Sequence, residues 1–147
     1  MEKTLEPQFA EVQAGMVSIC LEYCEGVASE VYIVVVYYDD DGAYSFESDF
    51  FFRIRDKLHK KIALQNDLGD GIGNVPKNRL YSAIKMLNGD VKKLILLCKE
   101  HNQPMPNVMK LVYDVKTGKL EADYKYKPVK DLSLTISEKW MVSIEGK

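Results

Sequence analysis

Val31-Tyr32-Ile33-Val34-Val35-Val36-Tyr37-Tyr38-Asp39-Asp40-Asp41-Gly42-Ala43-Tyr44-Ser45-Phe46-Glu47-Ser48 decides the fold. Its first eight residues are all β-branched or aromatic, with no polar alternation. That pattern predicts a central strand, with both faces covered or one part-exposed. Asp41-Gly42 is a strong hairpin signal, because glycine enters the positive-φ region without strain. Residues 43–48 then alternate and return as a second strand, which Phe50-Phe51-Phe52 continues or packs beside.

Upstream, residues 3–26 read as an amphipathic helix. Leu5, Phe9, Val12, Met16, Ile19, Cys20, Tyr23, Cys24 and Val27 recur at three- and four-residue spacing. Thr4 is the expected cap, Pro7 fits the first turn, and Gly26 marks the stop. Downstream, residues 53–61 are basic and read as a short helix, and residues 66–76 as a glycine-rich loop. A long helix is expected over residues 77–101, with Asn88-Gly89-Asp90 as a break that divides it. Residues 108–115 and 120–126 form a second hairpin about the turn at 116–119. Leu120, Ala122, Tyr124 and Tyr126 share one face of the return strand, and the two tyrosines are expected to pack inward. The tail reads as a short strand and a terminal helix. The expected class is α+β: a four-stranded antiparallel sheet of two hairpins, covered on one face by two long helices, with a short C-terminal helix.

The chain has 147 residues, one domain's worth, and enough for a core without disulfides or a structural metal. No apolar run approaches the roughly 20 residues of a membrane helix. Met1-Glu2-Lys3-Thr4-Leu5-Glu6 is acidic where a secretory leader is basic, so a cytoplasmic location is expected. The three cysteines, Cys20, Cys24 and Cys98, form no CxxC pair and are expected as buried free thiols. Net charge is only −2, yet residues 1–50 hold eleven acids against one lysine. The remainder carries a surplus of basic residues, a polarity that steers a charged partner unless folding interleaves the halves.

Catalytic templates fail. There is neither a GxSxG elbow nor HExxH, and Gly71-Ile72-Gly73 lacks the third glycine of a dinucleotide site. Gly118-Lys119-Leu120 lacks the hydroxyl of a Walker loop. Calcium loops counted from Asp39 or Asp67 reach Phe50 or Asn78 where a glutamate is required. His59 has only Asp56 nearby in sequence, and His101 sits at a helix end. The basic run 53–61 beside three phenylalanines is a weak nucleic-acid signal in an acidic chain.

Leu111-Val112-Tyr113-Asp114-Val115-Lys116-Thr117-Gly118-Lys119-Leu120-Glu121-Ala122-Asp123-Tyr124-Lys125-Tyr126 resembles the terminal hairpin of the YezG-like bacterial antitoxin family. A strand there leads through a Gly-Lys turn to an acidic, aromatic strand, and a tryptophan follows, as Trp140 does here. The 67–76 loop and the 88–90 break depart from that layout. The resemblance implies an immunity protein with no catalytic residues and no cofactor. Its partner would be a cognate toxin domain, often a nuclease, with neither direct nucleic-acid contact nor a membrane. A nuclease site is basic, so its inhibitor is expected to present acids. The candidates are Asp39, Asp40, Asp41, Glu47 and Asp49 around the first hairpin, and Glu121 and Asp123 on the second. The rival expectation is a small-molecule-binding or minor enzymatic domain with a tyrosine-lined pocket.

Overall fold

The apolar run becomes β1 (Glu30–Asp40), the middle strand of an antiparallel sheet, in a computed structural model that describes residues 4–40, 42–64 and 77–146. It pairs with β2 (Ala43–Ile54) on one side and β4 (Val108–Asp114) on the other. β3 (Lys57–Lys60) lies outside β2, and β5 (Lys119–Lys125) outside β4, giving the order β3-β2-β1-β4-β5. Among the described residues, three α-helices accompany the sheet: α1 (Glu6–Tyr23), α2 (Lys77–Glu100) and α3 (Ser133–Glu145).

The class is α+β, but the four-stranded sheet covered on one face is wrong. A fifth strand comes from the basic segment expected as a short helix. Arg55 and Asp56 both take positive φ, 54° and 65°, and fold Lys57 back onto Ile54. Such two-residue turns favour Asn-Gly or Asp-Gly, so Arg55-Asp56 hides the turn from a sequence reading.

The second face is also covered. Val31, Ile33, Val35 and Tyr37 enter the core under α1 and α2, joined by Phe50, Phe52, Leu87, Leu94, Met109 and Leu111. Tyr32, Val34 and Val36 point the other way and meet α3. There the Tyr32 and Phe51 rings stack at 4.7 Å, and Trp140 stands edge-on to both, at 5.4 and 5.3 Å. Burial on both sides explains why β1 shows no alternation. The expected tail strand is absent, and α3 takes its place.

α2 runs unbroken through Asn88-Gly89-Asp90. Gly89 costs roughly 1 kcal/mol in a helix interior, but tertiary contacts hold the segment. Ser48 Oγ donates to Asn88 Oδ1 at 2.7 Å. A methyl on Gly15 would sit 3.3 Å from Asp90 Oδ2, so the Asp90 side chain of α2 lies against α1 where α1 has no side chain of its own. The two helices also bring the acidic and basic halves together, as in the 3.6 Å pair of Arg79 with Glu25.

At its start, α1 has no side-chain cap; the N-cap position is Leu5, and the Thr4 carbonyl instead accepts a bond from Gln8 Nε2. Gly26, at φ 75°, closes the far end by donating to the Leu21 carbonyl. Tyr124 packs inward as expected: it meets Phe9 edge-on and its hydroxyl accepts from the buried Gln13 Nε2 at 2.8 Å. Tyr126 does not. It lies past the end of β5 and is half exposed. The 66–76 loop lies outside the described residues.

All three cysteines are buried and free. Burial pushes the Cys98 thiol up to about 11, and burial together with Cys24 pushes the Tyr23 hydroxyl up to about 12. The unfolded chain releases these protons near pH 9 and 10, whereas the native protein keeps them. Between those values unfolding releases protons, so stability is full below about pH 9 and falls as pH rises toward 11 and 12. The urea midpoint should decline over that window, and Cys98→Ala should make the decline shallower. An unchanged pH profile in the variant would show that Cys98 does not contribute.

Candidate functional site

β4 begins at Val108, opposite Val36, so the last residues of β1 pair with β2 alone. The β1–β2 hairpin therefore overhangs the sheet. Its final pairs are Asp39 with Tyr44 and Asp40 with Ala43, and Gly42 takes φ 86° in the turn between them. A side chain at that angle is strained, which is why glycine stands there. Asp39 is exposed at the tip. The Asp40 backbone ends β1, while Asp41 lies outside the described residues.

The hairpin is gripped at its base from both faces. On the α2 side the Tyr37 and Tyr44 rings lie 5.8 Å apart, and Lys99 Nζ sits 4.4 Å above the Tyr44 ring. On the α3 side the Tyr38 hydroxyl donates to the Asp131 carbonyl at 2.9 Å. The Tyr37 amide donates to the Asn107 carbonyl, and Asn107 Nδ2 returns a bond to the Tyr37 carbonyl. Burial, with Asp39 next, raises the Tyr37 pKa; burial, with Glu47 next, raises that of Tyr38. Both hydroxyls therefore stay protonated and able to donate at neutral pH. Below the tip, Tyr37, Asp39, Cys98, Lys99, Gln103 and Asn107 line a cleft of about 570 Å³.

Glu47 and Asp49 belong to the architecture. Both lie on the α3 face of β2. Glu47 Oε1 accepts from the Ser133 amide at 3.2 Å and its hydroxyl at 3.0 Å. The N-cap residue of α3, Leu132, has no capping side chain, so this carboxylate serves the helix start from a neighbouring strand. Asp49 is 5% exposed and pairs with Lys61.

Glu121 and Asp123 are exposed on β5, the outer strand beyond β4. Lys119 Nζ lies 3.1 Å from Glu121, and Lys110 is the cross-strand neighbour of Asp123. The five candidates whose side chains are described thus separate into Asp39 at the hairpin tip, two internal carboxylates and a sheet edge. Sequence spacing missed the internal roles because alternating acids on a strand read as a wet face until α3 is placed over it.

Among the described residues, no group of three His, Cys, Asp or Glu is arranged to hold a metal, and no helix is long and apolar enough to cross a membrane. Set against known protein families and characterised proteins, the chain matches no family and none of those proteins.

Proposed function

We propose that this protein is a cytoplasmic immunity protein, an antitoxin that neutralises a cognate bacterial toxin domain by protein–protein contact. The toxin is a nuclease in this reading, with a basic phosphate-binding site for the immunity protein to complement. The overhanging hairpin with Asp39 exposed at its tip carries the proposal. A narrow acidic projection on a rigid base suits a basic cleft, and its charge speeds encounter. Three like charges at one turn repel each other, so they contribute little to folding. The family resemblance of the second hairpin points the same way. No catalytic role is assigned to any residue.

Asp39→Asn combined with Asp40→Asn should leave the urea midpoint unchanged and slow association with the toxin. The salt dependence of the on-rate should flatten, since exposed charges act mainly through long-range attraction. Association kinetics at two ionic strengths measure both effects. A variant identical to wild type in rate, salt slope and affinity would place the toxin surface away from the tip.

The cleft under the hairpin favours a second reading, a ligand-binding domain with Tyr37 in the pocket wall. A metabolite that raises the melting temperature of wild type, but not of Tyr37→Ala, would support it.

A further inference from the structure

We infer that the free edge of β5 is a docking strand for a heterologous partner strand with basic residues two apart. This inference rests on the toxin-binding reading and names a second contact for it.

The two edges of the sheet differ. β3 is four residues long, which limits what can add to it. β5 is seven residues long and pairs with β4 without a bulge from Lys119 to Lys125. Among the described residues nothing pairs with its outer side. It contains no proline. An open strand of this kind offers a row of unpaired amides and carbonyls, guarded only by its side chains.

Those side chains define the partner. Lys119, Glu121, Asp123 and Lys125 alternate along one face. Leu120, Ala122 and Tyr124 alternate along the other, opposite the half-buried Tyr113 and the core residues Leu111 and Met109. A second copy fits poorly along the whole strand. Antiparallel pairing centred on Ala122 sets Lys119 against the other copy's Lys125, and Glu121 against its Asp123. Centring instead on Glu121 or Asp123 sets that acid against itself between two lysine–acid pairs, and leaves only five of the seven residues matched. Like charges directly opposite are destabilising. The complementary strand reads acidic, apolar, basic, apolar, basic, apolar, acidic. Its basic residues meet Glu121 and Asp123, and its apolar row extends the core beside Tyr124. The Lys119–Glu121 pair is exposed on both sides, so little is lost when the carboxylate changes partner. Main-chain bonds supply affinity in this mode, and the alternating side chains supply selectivity.

The probe is a capped heptapeptide with valines at its even positions, arginines at the third and fifth, and glutamates at both ends. At millimolar concentration it should slow exchange of alternate β5 amides at least about threefold. The peptide with arginine and glutamate positions exchanged should not. Glu121→Lys with Asp123→Lys should abolish the wild-type preference, because each peptide then meets two opposite and two like charges. No slowing with either peptide, equal slowing with both, or a β5-to-β5 dimer of the free protein would overturn the inference. Unprotected β5, with a toxin domain still captured through Asp39, removes the edge and leaves the hairpin. Peptide-protected β5 with no toxin domain captured supports the edge and removes the toxin reading.

Discussion

Lys61→Ala should destabilise the protein by about 3–5 kcal/mol, because it strands the Asp49 carboxylate without its cation. Asp49 is 5% exposed, beneath α3, and Lys61 is its ion-pair partner. The pair sits where β3 ends: Lys60 is the last residue paired to β2, opposite Phe51. Lys61 then opens the short 3₁₀ turn Lys61–Leu64, and its carbonyl accepts the Tyr23 hydroxyl at 2.9 Å. The lysine therefore links β2, the turn after β3 and the end of α1. Its removal should lower the urea midpoint by more than about 1 M, given usual slopes for a chain of this size. Lys61→Met with Asp49→Leu should recover most of the loss, since a buried pair is replaced by apolar groups of similar volume. If Lys61→Ala weakened toxin binding while the midpoint held, Asp49 would belong to the binding surface instead.

Trp140→Ala should cost about 2–4 kcal/mol, in the range for truncating a large aromatic side chain that is not fully buried. The indole touches Tyr32 and Phe51 edge-on and lies 5.2 Å from Lys110 Nζ. It anchors α3 to β1, β2 and β4 together. Amide exchange in α3 should accelerate more than exchange in α1 or α2, because the loss falls on one face of the sheet. Equal acceleration in all three helices would mean that both faces unfold as one unit.

The two hairpins, α1 and α2 were legible because each has a strong local signal. Residues 31–38 are continuously apolar, Asp41-Gly42 and Gly118 mark turns, and the helices repeat at helical spacing. β3 was not legible. Its four residues offer little alternation, and its turn uses Arg55 and Asp56 where a reader expects glycine. The covering of the second face was hidden for a different reason. The tail pattern at Leu132, Leu134 and Ile136 suits a strand, and only packing against Val34 and Val36 selects a helix. That omission misplaced Glu47 and Asp49. Both sit on the face that α3 covers, so one serves the helix start and the other a buried ion pair. Asp39, by contrast, is where its turn signal put it. Asn88-Gly89-Asp90 shows local preference yielding to tertiary contacts: the segment breaks helices in isolation, yet lies where α2 meets α1 and β2.

The central claim is that the overhanging acidic hairpin recognises a basic toxin domain. Its most direct test is affinity capture from the native cell with wild type and with Asp39→Asn plus Asp40→Asn, read by mass spectrometry at low salt. Wild type is expected to recover a protein with a basic domain that is toxic when expressed alone, and the variant about tenfold less of it. Capture of that domain equally by both proteins, or of no toxic domain by wild type, would contradict the claim.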